Sequence, residues 1–452
     1  MSTLSRRAFL AAAGMAAFGA PFRALAERLR AGVEVEDSFP YGPLRPVPDE
    51  TTGLPLLELP EGFRYRSISW YGDPMSNGQT TPPLHDGMAA FPGSNDTVVL
   101  IRNHEVSLST TAFGDPAYDP KAPGGTTTIV FDPRTERVVS VRASLAGTVN
   151  NCAGGPTPWG SWLSCEETLV APGPSTSVTR QHGYIFEVPH DGVSNAQPLK
   201  AMGCFWHEAI AVDPVTGIVY ETEDRTQAGL YRFVPTTRGR LAEGGKLQML
   251  AVVRRPQLDT RRDQRSQATY DIDWVDIAEP DKPHVDPQAK DTHGVMQQGL
   301  DRGGAIFARL EGAWFGQGRL YVSATNGGNA NMGQLWELDP EAGKLRLVFE
   351  SPGPDVLNMP DNICLSPRGG LALCEDGTRI QRLQGLTRDG RIVTLARNNI
   401  VLNGQKHGFI GDYSTREWAG VTYSPDGKWL FANIQVPGVT LAITGRWIDG
   451  GL

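Results

Sequence analysis

The stretch Val421-Thr422-Tyr423-Ser424-Pro425-Asp426-Gly427-Lys428-Trp429-Leu430-Phe431 decides the fold. An apolar run stops at Ser-Pro, a polar residue and a glycine follow, and a second apolar run begins almost at once. Proline presets the turn and has no N–H to give a central ladder, while glycine takes the positive φ of a tight reversal. The unit reads as a β-hairpin. Four other stretches repeat it: Ile129-Val130-Phe131-Asp132-Pro133 leads to Val138-Val139, and Asp213-Pro214-Val215-Thr216-Gly217 leads to Ile218-Val219-Tyr220. Asp339-Pro340-Glu341-Ala342-Gly343 leads to Leu345-Arg346-Leu347-Val348, and Ile363-Cys364-Leu365-Ser366-Pro367 leads through Gly369-Gly370 to Leu371-Ala372-Leu373.

Hairpins spread along the chain, with no long run of 3.6-residue apolar periodicity, predict an all-β repeat fold. A β-propeller is the member of that class that closes residues 53–452 into one body. Blades of roughly 40–50 residues give about six to eight of them, and we take six, with long loop insertions. Residues 236–305, with Arg254-Arg255, Arg261-Arg262 and Asp271-Ile272-Asp273, read as the largest insertion. Residues 27–52 read as an N-terminal arm.

Composition agrees with many strands and tight loops, since 52 glycines and 34 prolines make up about a fifth of 452 residues. Lys+Arg 42 against Asp+Glu 50 gives a formal charge of -8, which argues against a dedicated nucleic-acid or anionic-membrane binder. No apolar run after the N-terminus could span a bilayer. At the N-terminus, Ser5-Arg6-Arg7-Ala8-Phe9-Leu10, an apolar run to Ala20 and Ala24-Leu25-Ala26 read as a twin-arginine export signal over residues 1–26. Its removal takes Arg6, Arg7 and Arg23 and no acid, moving the charge from -8 to -11. The expected compartment is periplasmic or extracellular, the expected partner is the twin-arginine export machinery, and the expected state is a monomer. That route carries folded proteins, so a cofactor could be loaded before export.

Five scattered cysteines, Cys152, Cys165, Cys204, Cys364 and Cys374, form neither a disulfide framework nor a C-x-x-C zinc pair. There is no G-x-S-x-G elbow, P-loop, H-E-x-x-H or dinucleotide fingerprint. What the chain does offer is polar clusters beside strands: Asn103-His104-Glu105, Cys165-Glu166-Glu167, His207-Glu208, Glu223-Asp224, Arg309-Leu310-Glu311, Asp361-Asn362, Cys374-Glu375-Asp376 and Arg416-Glu417-Trp418. In a propeller such groups converge near the axis. Carboxylates with one thiolate suit mixed hard and borderline metals, calcium or ferric iron. In an extended strand Arg309 and Glu311 would share a face, placing a guanidinium fork beside a carboxylate, an arrangement that suits a phosphoryl group; a surface ion pair is the plain alternative. His104 and His207 read as core or carboxylate-supporting histidines, and Cys152 as either a ligand or a buried thiol.

These stretches together resemble the PhoX-type alkaline phosphatases over nearly the whole chain. The most specific are Asn150-Asn151-Cys152-Ala153-Gly154-Gly155, running on through Trp159-Gly160-Ser161-Trp162 to Cys165-Glu166-Glu167, and Ser424-Pro425-Asp426-Gly427 with Asn433-Ile434-Gln435 and Pro437-Gly438. The resemblance implies a propeller phosphatase acting on phosphate monoesters, with ferric iron and calcium bridged by an oxo group. It implies Cys152 as the iron thiolate, Glu208 and Glu311 as carboxylates of the cluster, Glu167, Asp224 and Glu417 as further metal ligands, and Arg309 as the phosphate-binding residue. Arg309 and Glu311 are thus the expected catalytic pair. Two other classes fit the acidic clusters: a calcium-dependent lactonase-like hydrolase, and a non-enzymatic calcium-binding propeller.

Overall fold

The computed structural model of the chain describes residues 41–107, 111–283, 293–448 and 451–452, with single positions between 21 and 31. The twin-arginine stretch Ser5 to Leu10 lies outside the described residues. Strands dominate, and the helix Val295–Asp301 is short. No described helix is long and apolar enough to cross a membrane.

All five quoted units are antiparallel hairpins: Asp132 pairs with Arg137, Val212 with Val219, Asp339 with Lys344, Leu365 with Leu371, and Tyr423 with Leu430. In the last of them Gly427 takes φ 73°, where a side chain would be strained, and its N–H donates to Ser424 O at 2.8 Å. The Ser424 hydroxyl donates to Asp426 at 2.7 Å and accepts from Trp429 N–H at 3.0 Å, which fixes where the second strand begins.

The sheets are arranged as in a β-propeller. One runs His85–Pro92, Val98–His104, Gly124–Asp132, Arg137–Thr148, and the next Asn151–Pro156, Ser161–Glu166, Ile185–Pro189. Another runs Trp418–Tyr423, Leu430–Ile434, Val439–Thr444 and is completed by the early strand Arg64–Trp70, so the two ends of the chain close in one sheet. The meander from Pro360–Leu365 to Ile392–Asn398 gains Leu57–Leu59 and Arg45–Val47 on its outer edge, the latter drawn from the N-terminal arm.

Hydrogen bonding does not divide the remainder into the equal blades that hairpin spacing suggests. The meanders His207–Val212 to Gly245–Val252 and Leu310–Gly316 to Lys344–Glu350 fuse into one nine-stranded sheet, because Thr269–Asp276 pairs with an edge of each. The cause lies within 236–305: Tyr270, Ile272 and Trp274 alternate on one face of that strand and pack on the neighbouring core. Large side chains fill the space between sheets, among them Trp70, Trp336 and Trp418, each contributing about 3 kcal/mol by burial.

What positions the site is the succession of first strands. His85–Pro92 lies against Asn151–Pro156, which lies against His207–Val212; Leu310–Gly316, Pro360–Leu365 and Trp418–Tyr423 follow, and the last returns to His85–Pro92.

Candidate active site

Each of these first strands begins with a register irregularity against its own partner: between His85 and Met88, Asn151 and Gly154, His207 and Ile210, Leu310 and Ala313, Pro360 and Ile363, and Ala419 and Thr422. Such irregularities re-aim side chains and break alternation. In five of the strands the second residue stands at the break, and it is Asp86, Cys152, Glu208, Glu311 and Asp361; in the sixth, Glu417 directly precedes the strand. Neighbouring strands approach closely here. A Cβ on Gly87 would stand 2.8 Å from Cys152 O, and one on Gly312 would stand 2.3 Å from Asp361 O. Glycine is the residue that lets adjacent backbones bring their acids together.

The partner strands contribute a second set through a triplet repeated at their ends: Asn103-His104-Glu105, Cys165-Glu166-Glu167, Thr222-Glu223-Asp224, Ser323-Ala324-Thr325, Cys374-Glu375-Asp376 and Asn433-Ile434-Gln435. The third residue faces the site. In four triplets the first residue holds the backbone of a first strand: Asn103 donates to Cys152 O at 3.0 Å and Ala153 O at 2.7 Å, Thr222 to Glu311 O at 2.8 Å, Ser323 to Asp361 O at 3.0 Å, and Asn433 to Asp86 O at 2.5 Å.

Two donor groups share one thiol. The ligand atoms of Asp86, Glu105 and Cys152 lie within 4.8 Å of one another, as do those of Cys152, Glu167 and Glu208. Cys152 Sγ is 3.2 Å from Glu208 Oε1, while the buried Glu208 Oε2 has no protein partner. Asn150 Nδ2 donates to Glu105 at 3.0 Å and Glu167 at 3.2 Å, and Gln435 Nε2 to Asp86 at 3.1 Å and to Glu105. Elsewhere in the site, Arg309 Nε and a terminal nitrogen donate to the two oxygens of Asp224, each at 2.9 Å, and that nitrogen lies 2.6 Å from Glu311 Oε1. Thr325 donates to Glu311 Oε2 at 3.0 Å.

Burial dominates the electrostatics. It raises Asp86 to about 6 against the donations of Gln435 and Gly87, and together with Asp86 and Asp376 it raises Asp361 to about 8. Glu105, Glu167, Glu208, Glu311 and Glu417 are pushed well above the usual carboxyl range, by burial first and then by one another's charge. The Cys152 thiol is raised by burial and then by Asp86 and Glu208. Arg309 goes the other way: burial lowers it, but Glu311 and Asp224 more than offset that. The cluster therefore has far more acid than its one ion-paired arginine can balance, and it suits cations.

Cys152, Glu167, Glu208, Arg309 and Glu311 are thus brought to one place, and Glu417 joins them through Asp376, which its carboxyl contacts. Asp224 also arrives, with both oxygens taken by Arg309. Arg309 and Glu311 meet, though not by strand alternation: Arg309 precedes the strand at φ 40°, its N–H donating to Arg225 O and its carbonyl accepting from Thr325 N–H. The histidines do not support carboxylates of this site. His104 bonds Pro83 O and Thr127, while His207 bonds Gly203 O, packs tilted against Phe205 and has Nδ1 3.5 Å from the buried Glu221, a carboxylate outside the site. Sequence reasoning passed over Asp86 altogether and left Glu105, Asp361 and Asp376 unassigned. The signal for Glu105 and Asp376 was the strand-end triplet, which repeats six times with only its third position kept polar.

Comparison with known proteins gives a consistent picture. The family profile described as alkaline phosphatase PhoX matches residues 39–144 and 134–438. Among curated protein sequences none matches. The structure is similar to Pseudomonas fluorescens PhoX in complex with vanadate, a transition state analogue, with a TM-score of 0.65 and 16% identity over 91% of this chain and 99% of that one. A gluconolactonase from Xanthomonas campestris aligns with a TM-score of 0.44 and 13% identity over 90% of this chain and 98% of that one. The profile runs from the arm through the six triplets to the last sheet, and by that match the chain belongs to the alkaline phosphatase PhoX family and is a phosphatase.

Proposed function

We propose that this chain hydrolyses phosphate monoesters outside the cytoplasm, at a centre where iron(III) and calcium are held by the axial acids and Cys152 and the phosphoryl group is held by Arg309. The observation that carries the reading is a single arginine, held through Nε and one terminal nitrogen by Asp224 and Glu311, beside two three-donor groups that share the Cys152 thiol. A thiolate with carboxylates fits iron, and the all-oxygen positions fit calcium. The orphaned Glu208 Oε2 fits a bound cation as well. Cys152, Glu208, Glu167, Asp86 and Glu105 would hold iron; Glu311, Asp361, Asp376 and Glu417 would hold calcium. When bound, such ions supply positive charge to a phosphoryl group and an activated oxygen nucleophile.

The chain's own residues do the positioning. Asp224 takes Nε and one terminal nitrogen of the Arg309 guanidinium, which leaves the other terminal nitrogen to donate to a phosphoryl oxygen and stabilise charge that builds up there. Thr325 fixes Glu311, and Asn150 and Gln435 fix Glu105, Glu167 and Asp86. The six first strands that follow one another support a six-bladed reading, in which the nine-stranded sheet is two blades bridged by Thr269–Asp276. The twin-arginine stretch supports export of the folded chain. Elemental analysis of the processed protein, with hydrolysis of a chromogenic monoester at alkaline pH with and without chelator, tests the reading. Iron with calcium and chelator-sensitive turnover are expected; calcium alone with no turnover would overturn it.

A further inference from the structure

The arginine-rich segment singled out in the sequence lines a cleft together with residues from the stretches that carry Asp224, Arg309 and Thr325. Residues 254–265 contain Arg254, Arg255, Arg261, Arg262 and Arg265 against Asp259 and Asp263, in a chain whose overall charge is -8. Its middle is stitched to the segment that leads into Arg309: Ile306 N–H donates to Leu258 O at 2.9 Å, and Thr260 N–H donates to Ile306 O at 2.9 Å. Arg261 reaches Thr226 O at 3.1 Å, two residues beyond Asp224, and its carbonyl accepts from Gly328 N–H at 2.9 Å. The segment is therefore held in fixed register with the residues that orient Arg309.

The cleft so formed has a volume of about 710 Å³, within the range that takes small molecules. Three of its lining residues, Thr226, Ala308 and Asn326, lie next to or two residues from Asp224, Arg309 and Thr325, so the cleft is built on the same chain segments that carry those site residues. Its charges are not all cancelled. Arg261 is paired with Asp259 at 2.9 and 2.7 Å. Arg262 instead donates to the neutral Asn331 at 2.8 Å, and Arg255 lies 5.5 Å over the Tyr270 ring; among the described residues neither is in an ion pair. Asp263 offsets one of them, which leaves the lining net positive.

We propose that this cleft receives the alcohol part of the substrate, and that it selects phosphate monoesters whose leaving group carries a second anionic group, a carboxylate or a further phosphate. The inference rests on the phosphatase reading and adds the substrate class to it. Arg255 and Arg262 are the specificity-determining residues, since guanidinium groups held on neutral partners keep their forks available for an anion.

The test compares phenyl phosphate with 4-carboxyphenyl phosphate on the metal-loaded protein, in the parent and in an Arg255→Gln/Arg262→Gln double variant. The carboxyl group also changes leaving-group chemistry, so the quantity read is the change between proteins in the ratio of the two kcat/KM values. That ratio is expected to fall by about tenfold in the double variant, mostly through KM, and to shrink as ionic strength rises. Arg262→Lys in the parent should keep part of it. An unchanged ratio in the double variant overturns the proposal. Calorimetric binding of phenylphosphonate and 4-carboxyphenylphosphonate separates the two readings. If neither ester is turned over but the parent prefers the carboxylated phosphonate and the double variant does not, the phosphatase reading falls and the cleft assignment stands.

Discussion

Two sides of one axial site are built on the same strand pattern and balance their charge differently. On the side of Asn151–Pro156, Cys152 is shared by two acid groups, and among the described residues no lysine or arginine is ion-paired to them. On the side of Leu310–Gly316, Arg309 takes Asp224 and Glu311 at once. The first side has no cation of its own to favour the charged form of its carboxyls, which burial and their mutual charge push upward. The second carries a cation of its own, and there the protein keeps a guanidinium in place of a further ligand. The strongest way to break this contrast is Cys152→Ser. It is expected to cost at least about a hundredfold in phosphate-ester turnover together with the iron, because a serine hydroxyl is a poor substitute for a thiolate. Iron retained at full stoichiometry in that variant would move Cys152 to the buried-thiol class.

Arg309→Ala tests the other side. Turnover should fall at least about tenfold, with bound metal nearly unchanged, since the substitution removes a contact to developing charge and no metal donor. Glu311→Gln is expected to lower both, with metal content falling along with activity. Metal analysis beside steady-state rates separates the two. If both variants lost metal equally, the two sides would be one electrostatic unit, and the contrast drawn here would be wrong.

Much of the fold is legible in the sequence, and what is not has a physical reason. The hairpins at Asp213-Pro214 and Ser424-Pro425 are local events, decided by proline, glycine and a side-chain acceptor within a few residues, so they were readable. Thr269–Asp276 was not: its pairing with Lys344–Glu350 is long-range, and its alternation of Tyr270, Ile272 and Trp274 sits inside a basic, loop-like composition. Glu208 and Glu311 were found through motif resemblance, while Asp86, in the same place on its own strand, has no motif of its own in Leu84-His85-Asp86-Gly87. What marks it is position at a strand irregularity, a property of pairing and not of neighbouring residues. Arg309 and Glu311 were paired for an incomplete reason, since a left-handed residue brings them together where strand alternation was expected.

The acid side also predicts a pH dependence. Asp86 and Asp361 are raised to about 6 and about 8, whereas an unfolded aspartate titrates near about 4. Between those values the metal-free folded protein holds more protons than the unfolded chain, so its stability falls as pH rises from about 4 through about 8. The melting temperature of chelator-treated protein should therefore drop between pH 5 and pH 8, and calcium or iron added at pH 8 should restore it by binding linkage. A chelated protein equally stable at both values would show that the acids are balanced from within.

The smallest effect separates how the two sides are anchored. Asn103 uses its whole amide: Nδ2 donates to Cys152 O and Ala153 O, and Oδ1 accepts from Trp162 Nε1 and Ser164, each at 2.9 Å. Ser323 gives the corresponding carbonyl, Asp361 O, one hydrogen bond at 3.0 Å. Asn103→Ala leaves two buried donors and two carbonyls to be satisfied, Ser323→Ala a single acceptor. Their expected costs are about 3 and about 1 kcal/mol in denaturant unfolding of the metal-free protein. The difference should also appear in the metals: Asn103→Ala frees the backbone under the thiol and should weaken iron retention, while Ser323→Ala should leave iron in place. Equal iron retention in both would mean that the strand irregularity alone aims Cys152, and that the triplet's first residue serves packing on both sides.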